Sequence, residues 1–536
     1  MKLHDYIAPG GTVGGERHQM SMLDALLRAV EIAPERPAVV EPDGSWRTWS
    51  NVLDRVKRLA TGFAGAGAHP GDRVAVALPN SKEYLECFFA CAWAGLVIAP
   101  LNTRLSESEL SSYLDLVDPA LVVTDPAFSL PETRAGVVQV GDAAPRGGHC
   151  YERLASSLPM EEPVLRNDHA PAALFSTGGT TGTPKAVILT HRNVVAGSHH
   201  IQMSLAYRQT DVYLHAAPMF HIADFASLLA VTMVGGAHAF IAPFRPLEFA
   251  RQVQQASVTA TLLVPTMVRM LLDDEAALAH DLSSWRLLFY GGAPMPQPTV
   301  RRAMERLPCR LAQGYGMTEI SLGAVLSEED HALAHRGGTG PAGLRLHGIG
   351  RAAYGVRIEV DSPDENGVGE LLVAGPNVCA GYWRNEEATR QTFTEEGWCR
   401  TGDLGRMDGE GYLELVDRLK DVVITGGENV YCLEVERLLA QHAGVAQVAV
   451  VGLPDPLWGE RVHAVVVPTE EWCSPSRAAD LPDEVIALGR RFLAPYKVPR
   501  SISLAKALPV TGPGKIDKKA LRRLLSISST QGAGNE

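Results

Sequence analysis

A chain of 536 residues is too long for one hydrophobic core and is expected to fold as two or more domains. With 46% hydrophobic and 21% charged residues it has an ordinary globular composition, and a formal charge of -12 argues against an extended nucleic-acid surface. No apolar run reaches membrane-span length, Met1-Lys2-Leu3-His4-Asp5-Tyr6 lacks a signal-peptide core, and the cysteines are scattered without CxxC pairs, so a cytoplasmic protein without a zinc site or disulfide framework is expected.

Residues 21 to 125 alternate helical and strand patterns. Ser50 is placed to cap a helix to about Phe63, Arg73 to Leu78 reads as a strand, Ser81 to Trp93 as a helix, and Leu96 to Ala99 as a strand. Ser106 and Glu109 have capping-box spacing, opening a helix to about Val117, and Leu121 to Val123 is strand again. Strands separated by helices predict parallel βαβ units. Between Asp125 and Arg166 periodicity fades and turn formers accumulate, which predicts a peripheral connection.

Two apolar runs, Ala172-Ala173-Leu174-Phe175 and Ala186-Val187-Ile188-Leu189, bracket Ser176-Thr177-Gly178-Gly179-Thr180-Thr181-Gly182-Thr183-Pro184-Lys185. Glycines let backbone N–H groups converge on an anion, threonines add donors, and Lys185 adds a full charge, so this loop is suited to phosphate. The loop does not match a P-loop: Pro184 occupies the required glycine position, Ala186 replaces the magnesium-binding hydroxyl, and a strand-like run follows where a helix should start.

Thr190 is set to cap the next helix. In Ala217-Pro218-Met219-Phe220-His221-Ile222-Ala223-Asp224-Phe225, a single histidine among apolar residues suits a structural role as well as a binding one. Thr261 to Pro265 and Leu287 to Pro294 read as buried strands, the second ending in glycines, either a tight turn or a place where a ligand approaches backbone. Gln313-Gly314-Tyr315-Gly316-Met317-Thr318-Glu319 offers an aromatic that can cover a flat base, then a hydroxyl and a carboxylate suited to a magnesium-bound nucleotide. Gly367 to Leu371 reads as a turn entering a strand. In Thr401-Gly402-Asp403 the carboxylate can accept both protons of a ribose diol, although the same residues also make turns. Asp417-Arg418-Leu419-Lys420-Asp421 is a charge cluster between apolar strands. A helix from Leu433, strands at Ala446 to Val451 and Val462 to Val467, and a helix near Glu484 to Leu493 follow. Pro509-Val510-Thr511-Gly512-Pro513-Gly514-Lys515 then holds a lysine in a Pro/Gly loop.

Taken together, these motifs resemble the adenylate-forming superfamily, which includes acyl- and aryl-CoA synthetases, luciferases and peptide-synthetase adenylation domains. The resemblance runs from about residue 20 to 525. Gly178 stands where serine is usual, Ala186 where glycine is usual, and Cys432 where proline commonly follows Tyr431, which puts the local backbone there in question. The resemblance implies an α/β fold: a large N-terminal domain of βαβ-type subdomains, residues 1–417, and a small mobile α+β C-terminal domain, residues 418–536, joined by a hinge.

It also implies site roles. Thr177, Gly178, Gly179, Thr180, Thr181, Gly182 and Lys185 hold phosphate, while Gly292, Ala293, Pro294, Gly314, Tyr315 and Gly316 surround AMP, with Tyr315 against adenine. Thr318 lies near phosphate and Glu319 at Mg²⁺; Asp403 and Arg418 take ribose. Lys420 is the swivel, Gly426 and Gly427 lie beside the thiol channel, and Lys515 acts catalytically with Lys185, Thr318 and Glu319. His221, Phe225, Val264, Met267, Tyr290, Gly314 and Met317 form the acyl pocket, with Gly314 leaving depth for a tail. Amino-acid-activating relatives usually carry aspartate at the His221 position, to pair with substrate ammonium. The implied reaction joins a non-amino carboxylic acid, aromatic or medium-chain, to AMP from ATP with Mg²⁺ and then to the thiol of CoA. The alternative acceptor is a carrier-protein phosphopantetheine.

Overall fold

The computed structural model describes residues 20–141, 143–177, 184–337, 345–510 and 516–532, so Gly178, Gly179, Thr180, Thr181, Gly182 and Lys515 lie outside the described residues. The chain forms two compact units. One comprises Met1–Gly292, Arg302–Ile358 and Val373–Cys399, the other Ala293–Arg301, Glu359–Leu372 and Arg400–Glu536.

A seven-stranded sheet of the first unit runs in the order His149–Cys150, Gly136–Gln139, Leu121–Thr124, Arg73–Ala77, Val97–Pro100, β1 (Pro171–Thr177) and β2 (Lys185–Thr190). Every neighbouring pair is parallel except β1 and β2. Val74 to Ala77 are fully buried, as expected of central strands covered on both faces, which read as unbroken apolar runs. The expected peripheral connection instead supplies the last two strands on one side of this sheet, Gly136–Gln139 and the edge strand His149–Cys150. They are too short and too polar to stand out among turn formers.

Helix starts follow local chemistry. Ser106 with Glu109 makes the expected capping box, and Thr190 makes another with Asn193 to open α1 (His191–Leu205). The helix expected from Ser50 is Trp49–Gly65, capped by Thr48 through a box with Asn51, whereas the Ser50 hydroxyl donates to Pro34 O. Thr48 has a side-chain partner three residues on; Ser50 has Leu53 there.

The unit's second sheet has the order Trp46–Thr48, Pro37–Val40, Ala237–Phe240, β3 (Val212–His215), Ala260–Leu263, β4 (Leu287–Gly291), β5 (Arg310–Tyr315), Ala324–Leu326 and Arg351–Ala352. From Pro37–Val40 through β5 the pairs are parallel. Helix α2 (Ile222–Met233) lies in the crossover from β3 to Ala237–Phe240. Its Phe225 stacks on Phe88 with ring centroids 4.4 Å apart and lies 5.3 Å from Phe175 of β1. This aromatic cluster ties α2 to the strand that enters the phosphate loop.

In the second unit, β6 (Cys399–Met407) pairs antiparallel with β7 (Leu413–Arg418). After a 3-10 turn at Leu419–Asp421 come the hairpin Val423–Thr425/Glu428–Val430, α3 (Cys432–Leu439), and the long hairpin β8 (Val445–Asp455)/β9 (Gly459–Pro468). The helix Pro475–Phe492, the strand Ser501–Leu504 and α4 (Lys518–Gly532) complete it. Strand alternation builds two cores: Val448 and Val450 face Val435, Leu439 and Val485, while Ala449 and Val451 face Leu521 of α4. The helix expected near Glu484 begins earlier, at Pro475, and contains Pro482, a residue that ordinarily marks a boundary. Cys432 opens α3 at its first position, where proline also fits, and its thiol donates to Asp421 O at 3.0 Å, so the backbone there is an ordinary helix start. Among the described residues no helix is long and apolar enough to cross a membrane.

Candidate active site

The predicted segments of the first unit leave its second sheet along one edge. β3, Ala260–Leu263, β4 and β5 are consecutive parallel neighbours. Their carboxyl ends release Ala217–His221, Val264, Gly292 and Gly316–Glu319 in turn. Such edges are where open parallel sheets take ligands, because loops there diverge and leave a crevice. Gly292 has φ +80, and a Cβ on it would lie 3.8 Å from Val264 Cγ1, so these two residues adjoin. A Cβ at Gly316 would lie 1.9 Å from Ser321 O, closer than any side chain tolerates. Gly316→Ala is therefore expected to cost at least about 2 kcal/mol of stability, read by denaturant titration, and to reduce ATP binding in calorimetry.

The phosphate-loop hairpin brings Thr177 opposite Lys185 at the facing ends of β1 and β2. On the other side of β2 lies the segment 380–383, held by Ala380 N–H to Ile188 O (3.0 Å), Ile188 N–H to Gly381 O (2.9 Å) and Trp383 N–H to Ala186 O (2.8 Å). That pairing sets Tyr382 beside Lys185, whose Nζ is 4.6 Å from the ring centroid. The Tyr382 hydroxyl donates to Glu319 Oε1 at 2.7 Å. Burial first, and then the Glu319 charge, push this phenol well above its ordinary range, so it remains a donor. Lys185 and Glu319 are thus gathered at one phenol, and Cys379 N–H to Glu319 O (2.8 Å) fixes the carboxylate's backbone. Sequence reading missed Tyr382; its only local signal is an aromatic after Gly381, whose φ is +126.

Among the expected acyl-pocket residues, His221 stands at the N-cap of α2, Val264 at the N-cap of Pro265–Leu272, and Met317 half-buried after β5. Met267, Phe225 and Tyr290 are buried at 7%, 0% and 1% exposure. The Tyr290 hydroxyl lies 2.8 Å from His331 Nε2, and burial holds that imidazole below its ordinary value, ready to accept. The space beside Gly314 is filled: a Cβ there would lie 2.4 Å from Phe289 Cζ, so depth for a tail requires this ring to move. Tyr315, expected against adenine, is 9% exposed, and Thr318 is half-buried.

Two further residues that sequence reading gave no role hold the His221 segment. The Asn80 amide donates to His215 O (2.9 Å) and Ala217 O (2.8 Å) and accepts from Met219 N–H (2.9 Å). Asp224, in the first turn of α2, receives His215 Nδ1 at 2.6 Å.

In the second unit, which also contains Ala293 and Pro294, Asp403 faces Arg418 across the β6/β7 pair, Oδ1 to Nε at 3.2 Å. Gly402, at φ +69, and the Thr401 hydroxyl, donating to Leu371 O at 2.7 Å, fix the strand backbone just before Asp403. Arg418 remains 45% exposed, so one face of the pair is open to a ligand. Lys420 sits in the 3-10 turn; burial, then the Arg418 charge, lower its ammonium from the ordinary value. Gly426 (φ +61) packs against Trp458, whose Cε3 would lie 2.7 Å from an added Cβ, while Gly427 (φ +87) has open space. The chain flanking the residue 515 loop is tied by a bridge between Val510 and Ile516.

This geometry agrees with the relatives. Residues 26–383 match the AMP-binding enzyme model and 434–515 the AMP-binding enzyme C-terminal domain model. The chain is 37% identical over 498 residues to a feruloyl-CoA synthase of Amycolatopsis sp, covering 93% of this chain and 97% of that protein. It is 32% identical over 508 residues to the long-chain-fatty-acid–CoA ligase FadD13 of Mycobacterium tuberculosis, covering 94% and 98%. In structure it resembles the o-succinylbenzoate CoA synthetase MenE of Bacillus subtilis in complex with the acyl-adenylate intermediate OSB-AMP, with a TM-score of 0.79, 28% identity, and coverage of 93% and 98%. The gathered Lys185 and Glu319, the facing Asp403 and Arg418, and the matches to both domain models lead to one conclusion: the chain belongs to the AMP-binding enzyme family.

Proposed function

We propose that this chain activates an aromatic carboxylic acid of benzoate or cinnamate size as its acyl-AMP and transfers the acyl group to CoA. The observation that carries the proposal is the Lys185–Tyr382–Glu319 constellation at the base of the phosphate-loop hairpin. In the first half-reaction a carboxylate oxygen attacks the α-phosphorus of ATP and pyrophosphate departs; in the second a thiol sulfur attacks the acyl carbonyl and AMP departs. The first step brings two anions together, so the protein's work is charge compensation and alignment. Lys185 and the loop donors take the departing pyrophosphate, Asp403 and Arg418 orient the ribose, Tyr315 covers adenine, and Lys515 stabilises charge between carboxylate and α-phosphate.

A magnesium ion, when bound, would neutralise phosphate charge, and Glu319 is the group to hold it. Among the described residues no cluster of three His, Cys, Asp or Glu could hold a metal. A single carboxylate suits a cation that takes its remaining oxygens from phosphate and water. The size assignment rests on Phe289, which fills the space beside Gly314, and on the feruloyl-CoA synthase relative. The domains are residues 1–417 and 418–536, and Lys420 is the swivel about which the smaller one turns. A cytoplasmic setting suits the eight free cysteines, seven of them buried.

Pyrophosphate release across benzoates, cinnamates and fatty acids, with CoA present and then omitted, tests this reading. Release with cinnamates or benzoates and accumulation of AMP only with CoA is expected. Turnover confined to long-chain acids would overturn the substrate class, and acid-independent release the activity.

A further inference from the structure

We propose that Tyr382 is a positioning residue for the pyrophosphate side of the reaction, holding apart and aiming the two opposite charges there; this rests on the ligase reading above. Its ring carries the Lys185 ammonium at 4.6 Å from the centroid, and its hydroxyl bonds Glu319 Oε1 at 2.7 Å. Left to themselves, a lysine and a glutamate at one site attract each other, and a collapsed pair offers less charge to a ligand. A phenol between them holds each by a different part. The ring face attracts the cation while leaving its N–H bonds for phosphate oxygens, and the hydroxyl takes one carboxylate oxygen without adding charge.

Tyr382 is held rigidly enough for this task. Its neighbours pair with β2 on one side, and its own N–H donates to the Thr389 hydroxyl at 3.0 Å. Asn193 of α1 donates to Pro376 O (2.9 Å) and Val378 O (2.7 Å), and Asn377 to Ile320 O (2.6 Å) and Leu322 O (3.1 Å). The segments carrying Tyr382 and Glu319 are thereby stitched to each other and to the helix that follows the phosphate-loop hairpin. Packing alone would be met by phenylalanine; the hydroxyl serves Glu319 and a further hydrogen bond with Thr392.

The test uses the full-length enzyme with a non-hydrolysable ATP analogue and Mn²⁺ followed by electron paramagnetic resonance. Tyr382→Phe is expected to weaken Mn²⁺ binding roughly tenfold while metal-free nucleotide affinity and the thermal midpoint stay close to wild type. Tyr382→Leu, which also removes the ring, is expected to lose about a further threefold or more in pyrophosphate affinity by calorimetry. Adding Tyr382→Phe to Glu319→Gln should cost no Mn²⁺ affinity beyond Glu319→Gln alone, because the carboxylate that Tyr382 would aim is already gone. Should the leucine variant fail to fold, the phenylalanine and double variants decide. Wild-type Mn²⁺ affinity in Tyr382→Phe overturns the role of Tyr382 alone; a wild-type enzyme that binds no metal–nucleotide overturns the ligase reading with it.

Discussion

Lys515→Ala is expected to slow acid-dependent pyrophosphate exchange by roughly 10²- to 10³-fold while CoA still captures acyl groups from supplied acyl-adenylate at near the wild-type rate. The asymmetry follows from where charge appears. In the first half-reaction two anions meet and a single cation between them stabilises the transition state; in the second the leaving group is already an activated phosphate. A lysine nearly a hundred residues past Lys420, reached through a separately folded small core, is suited to serve one half-reaction and withdraw for the other, as a hinge motion allows. The turn that would act as hinge is braced on its far side, where Arg522 of α4 pairs with Asp421 at 3.2 Å, so α4 and the segment after Lys420 would turn together. Isotope exchange and single-turnover capture of synthetic acyl-adenylate, run side by side, check this. Wild-type exchange in the variant would remove Lys515 from the chemistry.

How legible this site was in the chain depends on how far apart the partners lie. Thr177 and Lys185 could be placed at the ends of two strands because the strands are contiguous apolar runs with only the loop between them. Asp403 and Arg418 face each other because a short hairpin joins them, and the boxes at Ser106 and Thr190 are complete within four residues. Tyr382 reaches Glu319 across 63 positions and Asn80 reaches Ala217 across 137, and no period or cap relates such pairs. Phe289 escaped for another reason. A buried strand residue gives no sign in sequence of which glycine it packs against, and Phe289 meets Gly314 from the neighbouring strand 25 positions away.

The second large effect is expected from Asp224→Ala, which should destabilise the protein by about 2–4 kcal/mol, since each of two buried donors left without an acceptor costs roughly 1–3 kcal/mol. Asp224 is fully buried. Tyr213 donates to its Oδ1 at 3.2 Å and His215 Nδ1 lies 2.6 Å from its Oδ2; His215 Nε2 meets His238 Nδ1 at 3.0 Å, and His238 Nε2 meets the Thr232 hydroxyl at 3.0 Å. One donor order satisfies every atom: Thr232 to His238, His238 to His215, and His215 and Tyr213 to the two carboxyl oxygens of Asp224. Alanine leaves two buried donors without an acceptor, whereas Asp224→Asn keeps one and should recover part of the loss in denaturant titrations.

Acid should act on the same chain. Burial, then the neighbouring His215, hold His238 well below the ordinary histidine value, so the folded protein keeps it neutral while the unfolded chain takes up a proton below about pH 6.5. Stability from this group is therefore intact above that pH and falls as pH drops, by about 1.4 kcal/mol per unit at most. His238→Gln should flatten the profile between pH 6.5 and 5 without abolishing folding at neutral pH. Because Asp224 and Thr232 lie near opposite ends of α2, and His221 is the N-cap of α2, loosening the chain should also raise the KM for the acid more than that for ATP. Equal denaturation midpoints for wild type and Asp224→Ala would make the relay incidental to the fold, and equal acid KM values would free His221 from it.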